Sequence, residues 1–217
     1  MMTAIKICCI HSVLEAEIAI AAGAEALGLV ADMPSGPGPI SDTLIAEITT
    51  HIAGRVENFL LTQRTEADAI IAHVTACHPS VIQLVQETSA ETRATVKAAL
   101  PHIELVQVVH VADADAISQA HALAEHADAL LLDSGRPNAP TPEFGGTGRT
   151  HDWEISRRIV ESVDLPVWLA GGLNVSNVRE AIAVVQPHGV DLCTGVRTSG
   201  ALDIEKLADY IAAIRAI

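Results

Sequence analysis

Basic residues are scarce in this chain. Thirteen Lys and Arg stand against 27 Asp and Glu among 217 residues, a net charge of -14, and the basic side chains form no run. A nucleic-acid partner is therefore not expected, because phosphate backbones require a positive footprint. An anionic substrate is repelled by the same net field and needs local help from helix N-termini or placed arginines. Long apolar stretches are missing too, as is a charged leader before the first apolar run, so neither a signal peptide nor a membrane span is expected. The four cysteines, Cys8, Cys9, Cys77 and Cys193, contain no Cys-x-x-Cys pair and sit mostly in apolar surroundings. A reducing cytoplasm is the expected setting. The ten histidines form no His-x-x-x-His pair and join no strand-end carboxylate at ligand spacing, so no metal is expected. Linkers and low-complexity tracts are absent.

What remains is an alternation of short apolar runs with longer segments of helical period. The runs are Ala4 to Ile10, Ala26 to Ala31, Val56 to Thr62, Val81 to Gln86, Glu104 to Val111, Ala129 to Asp133, Val167 to Ala170, and Asp191 to Gly195. Between them, Ile117, Ala120 and Ala124 share a helical face, as do Val175, Val178, Ile182 and Val185, and Ile204, Leu207, Ile211 and Ile214. Strands that are apolar throughout are covered on both faces, as in a parallel sheet wrapped by helices. Eight such units predict a single-domain (β/α)8 TIM barrel over residues 1–217. An open doubly wound sheet competes, but a dinucleotide-binding version carries Gly-x-Gly-x-x-Gly after its first strand. This chain has Cys8-Cys9-Ile10-His11-Ser12 there.

In a barrel every strand end faces one mouth, which makes distant motifs neighbours. Cys8 and Asp133 are then expected at a shared pocket, with Gly145-Gly146-Thr147-Gly148, Asp152-Trp153 and Gly171-Gly172 around it. A thiolate of lowered pKa removes a carbon-bound proton, and a protonated carboxyl donates to a leaving oxygen. Such a pair suits acid–base isomerisation without a cofactor. Each residue also has a plain structural use: a strand cysteine as a small core hydrophobe, an aspartate as a turn cap, a glycine pair as a tight turn. Strand alternation predicts that Cys9 points away from the side that Cys8 faces.

The order of these motifs resembles the phosphoribosylanthranilate isomerase family over nearly the whole chain. Lys6-Ile7-Cys8-Cys9 matches the opening Lys-Ile-Cys-Gly, and Gly23 to Gly28 matches Gly-Ala-x-Ala-Leu-Gly. Leu130 to Asp133, Gly145 to Gly148, Asp152-Trp153, Leu169 to Leu173, Gly189-Val190-Asp191 and Gly195-Val196 follow in the family's order. The resemblance implies an Amadori rearrangement of N-(5-phosphoribosyl)anthranilate in tryptophan biosynthesis. Asp133 would protonate the furanose oxygen and Cys8 would remove the C2 proton. The phosphate of a small phosphorylated sugar would lie against Gly171, Gly172 and Gly195. No cofactor is implied.

Four departures stand out. Gly38 occupies the place of an arginine that the family associates with the anthranilate carboxylate, and Val85 stands where the family has a histidine. Cys9 replaces glycine, and Arg197 replaces a glutamate. Arg136, Arg149 and Arg197 are candidates to bind the carboxylate instead; ordinary surface charge is their plainer reading. A phosphosugar isomerase with another substrate, or a catalytically silent phosphosugar-binding paralogue, stays open. An apolar helix face does not tell a barrel from a second subunit, so the oligomeric state is not legible.

Overall fold

The computed structural model describes residues 2–34, 36–136, 140 and 148–216. Strands and helices alternate: β1 (Ala4–Ile7), α1 (Val13–Ala22), β2 (Ala26–Val30), α2 (Asp42–Ile52), β3 (Glu57–Thr62), α3 (Ala67–Cys77), β4 (Val81–Leu84), α4 (Ala90–Ala99), β5 (Glu104–His110), α5 (Ala116–Ala124), β6 (Ala129–Asp133), α6 (Trp153–Ser162), β7 (Val167–Leu169), α7 (Val178–Val185), β8 (Gly189–Leu192). A 3-10 turn (Thr194–Val196), a two-strand ribbon of β9 (Arg197–Thr198) and β10 (Ala201–Leu202), and α8 (Ile204–Arg215) complete the order. β1 to β8 pair in parallel, each with the next, and β8 pairs back onto β1, which closes the expected barrel.

Two apolar layers follow from the pleat. Ile5 and Ile7 of β1, Leu27 and Leu29 of β2, and Leu130 and Leu132 of β6 face outward into the helix ring. Inside the barrel a second cluster gathers Ala26, Val30, Phe59, Leu61, Val106, Val108, Leu131 and Trp168. Both faces of each strand are thus covered, which is why the sequence reads as apolar runs without alternation. Helix N-termini lie at the mouth, and side chains cap several of them. Ser12 accepts from the Glu15 N–H, Ser41 from Leu44 and Ser89 from Thr92. Asp152 and Asp203 do the same for α6 and α8.

Three expectations need correction. The last barrel strand begins at Gly189 and ends at Leu192, not at Gly195, because residues 194–196 already turn as a 3-10 helix. The first ends at Ile7, and its chain turns at Cys9, which has a left-handed φ of 62°. Val175 lies before α7 and is exposed, so the helical face starts at Val178.

Gly189 starts β8 for a packing reason. A Cβ there would fall inside the van der Waals envelope of the Trp168 ring, which packs edge-on to Phe59 with centroids 5.5 Å apart. Gly189→Ala is expected to lower stability by about 1–3 kcal/mol, a fall in melting temperature of roughly 2–12 °C. Thermal melts of the two proteins check this, and an unchanged melting temperature would refute the packing account.

Candidate active site

At the strand C-termini an open cleft of about 730 Å3 is lined by Cys8, Gln83, Leu131, Asp133, Gly171, Gly172 and Asp191, among others. Cys8 follows β1 directly. Its thiol fits because β2 carries glycine opposite: a Cβ on Gly28 would stand 2.5 Å from Cys8 Sγ. Asp133 ends β6, and one of its oxygens accepts the Ser134 backbone N–H at 2.7 Å. Both expected residues therefore face one cleft. Cys9 faces it too, contrary to expectation, since its left-handed backbone breaks the alternation that a strand would impose.

Below them lies a charged pair that the sequence did not announce. Lys6 of β1 is wholly buried, donates to Asp191 of β8 at 2.7 Å and to Gln83 of β4 at 3.0 Å, and sits 4.8 Å from the Phe59 ring centre. Burial works most strongly against its charge, but Asp191, with smaller help from Cys8 and Asp133, more than offsets it, and the Lys6 pKa is raised.

Burial also dominates at the two candidate residues. It pushes the Asp133 carboxyl up to about 6, partly offset by the Ser134 N–H and by Lys6. It pushes the Cys8 thiol up to about 12, against the pull of the Lys6 ammonium. The raised carboxyl agrees with the acid expected there. The lowered thiol pKa expected for a base is not found in the free protein, because desolvation exceeds the help from Lys6.

The glycine turns meet nearby. Gly171 and Gly172 have φ of 83° and 63°, and a Cβ on Gly172 would lie 2.5 Å from the Arg149 carbonyl carbon. Among the described residues no hydrogen bond takes up the N–H of either glycine. A Cβ on Gly195 would stand 2.6 Å from the Leu173 carbonyl oxygen, so this third glycine packs against the same turn. His151, which the sequence reading passed over, lies behind Gly171 and is kept neutral by burial, its pKa lowered to about 4.

The three candidate arginines part company. Arg136 and Arg149 are exposed at the mouth, each with interactions of its own. Arg197 is buried. It grips Glu15 through two bonds of 3.1 and 3.0 Å and also donates to the Gly200 and Cys9 carbonyls. Its guanidinium is committed to joining α1, the end of β1 and the β9–β10 ribbon, which corrects its reading as a mouth-loop cation. Gly148 lines the cleft, whereas Gly145, Gly146 and Thr147 lie outside the described residues.

Two further points differ from the sequence reading. Cys9 and Cys193 are joined as a disulfide with Cα atoms 5.8 Å apart, while Cys8 and Cys77 carry free thiols. Ligand-type atoms of Asp42, His73 and Cys77 lie within 4.8 Å of one another. This cluster is already bonded, His73 to Asp42 at 3.1 Å and to Thr62 at 3.0 Å. Arg64 adds a positive charge 3.6 Å from Asp42, which opposes a bound cation.

Fold and site together define a (β/α)8-barrel enzyme with a thiol and a proton-holding carboxyl at one mouth. The family described as N-(5'-phosphoribosyl)anthranilate isomerase matches residues 5–213. The enzyme of that name from Methanocella arvoryzae is 32% identical over 215 residues, covering 99% of each chain. That from Haloferax volcanii is 34% identical, over 99% of this chain and 94% of its own. Phosphoribosyl anthranilate isomerase from Thermotoga maritima superposes with a TM-score of 0.84 at 27% identity, covering 100% of both chains. This chain belongs to the N-(5'-phosphoribosyl)anthranilate isomerase family.

The raised Asp133 carboxyl has a stability consequence. Between pH 3.8 and about 6 the folded protein holds a proton there that the unfolded chain has released, so stability falls as pH rises through that window. Asp133→Asn removes the loss and is expected to stabilise the protein at pH 8 by about 1–3 kcal/mol. Melts at pH 8 and near pH 4 check it: the gain should appear at the first and vanish at the second.

Proposed function

We propose that this chain catalyses the Amadori rearrangement of N-(5-phosphoribosyl)anthranilate to the carboxyphenylamino-deoxyribulose phosphate, a step of tryptophan biosynthesis. The observation that carries the reading is the pairing, on one cleft, of a carboxyl that holds its proton to about pH 6 with a buried thiol. Asp133 donates its proton to the furanose oxygen as the C1–O bond breaks, leaving an open-chain Schiff base and a carboxylate. Cys8, as thiolate, then takes the C2 proton, and the C2–H electrons move into the C1–C2 bond to give an enolamine. Tautomerisation yields the ketose.

Cys8 is a thiol in the free protein, so its ionisation belongs to the bound complex, where its proton passes to solvent water at the open cleft before the C2 proton is taken. Ring opening makes the Schiff-base nitrogen cationic, and a new positive charge close to Cys8 favours the thiolate, as Lys6 already does. The phosphate is assigned to the backbone around Gly171, Gly172 and Gly195, whose N–H groups offer dipoles where the net charge of -14 offers none. These steps use side chains and backbone of this chain and need no cofactor or metal. Among the described residues no helix is long and apolar enough to cross a membrane, and a cytoplasmic location goes with this reading.

One observation favours the second reading, a phosphosugar isomerase acting on a different amine. The described residues lining the cleft include Asp133 and Asp191 but no Lys or Arg. Turnover of N-(5-phosphoribosyl)anthranilate by the purified protein decides between them. Given turnover, Cys8→Ser and Asp133→Asn are each expected to lower kcat by about 10^2-fold or more with the fold intact. Near-normal rates in either variant would remove that residue from the mechanism. Inorganic phosphate is expected to protect wild type and both variants alike from thermal unfolding.

A further inference from the structure

Cys9 and Gly38 meet at the rim of the cleft, one after β1 and the other in the segment between β2 and α2. A Cβ built on Gly38 would stand 2.6 Å from Cys9 Cβ, 3.1 Å from its Cα and 3.2 Å from its Sγ. The nearest obstacle is thus the part of Cys9 that no side-chain rotation can move. Backbone freedom is limited as well. Cys9 sits at φ 62° with its sulfur bonded to Cys193 and its carbonyl taken by Arg197. On the other side, Pro39 bridges to Val30, and the Ile40 N–H donates to the Val30 carbonyl at 2.9 Å, which pins the segment to the end of β2. Gly36, Pro37 and Cys9 all line the cleft.

The two departures noted in the sequence therefore concern one crossing point. Where the family pattern has glycine in the first place and arginine in the second, this chain has Cys9 and Gly38, so the crossing holds a single side chain in either case. We propose that Cys9 and Gly38 act as one specificity-determining pair. Cys9 excludes any side chain at position 38, so the rim facing the arylamine end of the substrate is built there of sulfur and backbone, and position 38 does not grip a carboxylate. The substrate half of this inference rests on the isomerase reading; the steric half does not.

The test is a double-mutant cycle of wild type, Cys9→Gly, Gly38→Arg and the double variant, read by thermal melting and by kcat and KM. The strain of a positive φ at position 38 (93°) enters both backgrounds and cancels in the cycle. In the wild-type background Gly38→Arg should lower the melting temperature by about 5 °C or more and raise KM. In the Cys9→Gly background it should cost less than about half as much. There it should also lower KM for N-(5-phosphoribosyl)anthranilate about fivefold, an effect on KM and not on kcat, with no gain for the aniline analogue that lacks the carboxylate. Cys9→Ser keeps the Cβ but cannot form the disulfide, so Gly38→Arg should be as damaging there as in wild type. Equal melting costs in the two main backgrounds, or a KM gain from Gly38→Arg alone, overturn the proposal. Should Gly38→Arg fail to accumulate, Gly38→Ala in the same cycle tests the same contact. If no variant turns over the anthranilate compound, the isomerase reading fails while the melting cycle still decides the steric coupling.

Discussion

The Lys6–Asp191 ion pair is the constraint on which the interior of the barrel depends. It joins the first strand to the last at 2.7 Å, where Lys6 and Asp191 are also register partners, so one contact serves both barrel closure and the floor of the cleft. Gln83 brings in the opposite wall of the barrel through β4. Breaking such a pair by removing one partner costs about 3–5 kcal/mol, because the other charge is left buried alone. The pair also sets the field at the mouth. Lys6 favours the charged forms of Cys8 and Asp133, while Asp191 opposes both. As a unit the pair is close to neutral, which leaves desolvation as the largest influence on the two groups above it. Both pKa values are accordingly raised: Cys8 keeps its proton at neutral pH, and Asp133 keeps its own up to about pH 6.

The mouth solves a different problem. A chain of net charge -14 must accept an anion on the proposed reading, and the cradle offered to it is backbone, not side chain. Gly171 and Gly172 have left-handed φ, and packing leaves no room for a Cβ at Gly172, against Arg149 and Thr150, and little at Gly171, against His151 and Ser134. Side-chain amides of Asn174 and Asn177 donate to the Gly172 carbonyl at 3.2 and 3.0 Å, which holds the turn from behind. Arg197, the cation nearest to hand in sequence, is spent on Glu15, and there the bidentate grip lowers the Glu15 pKa against the effect of burial. Charge thus fixes the scaffold around the first and last units, while neutral dipoles remain for the ligand.

The barrel was legible in the sequence because both faces of each strand are covered, which writes eight apolar runs. Their ends were less so. Leu192 reads straight on into Cys193-Thr194-Gly195, and nothing in those residue types signals the 3-10 turn; Gly189 was quoted as part of a motif, but its packing against the Trp168 ring was not legible. Cys8 and Asp133 drew attention because a reactive residue type lies within one apolar run and ends another, and the structure sets both on one cleft. Lys6 and Asp191 were quoted as parts of motifs, yet their pairing was invisible across 185 positions. Gly28 gave no signal of its purpose, which is to leave space for the Cys8 thiol. Cys9 misled the reading because alternation holds only while the chain remains a strand. Arg197 misled it because Glu15, its partner, lies on a helix near the other end of the chain.

The resting protonation of the site bears on how a thiol so deeply buried can act as a base at all. A thiolate formed before substrate arrives would face the full desolvation cost of its buried position, beside the Asp191 carboxylate, and would also be open to oxidation. In the proposed sequence the acid step comes first and needs a protonated Asp133, the state that burial favours. It creates a cation on the substrate before the base is required, and the C2–H bond is acidified by that same cation. One burial thus serves two groups in opposite senses: it raises the share of Asp133 that carries a proton to donate, with half still protonated at about pH 6, and it keeps the Cys8 thiol inert until the substrate supplies the charge that ionises it.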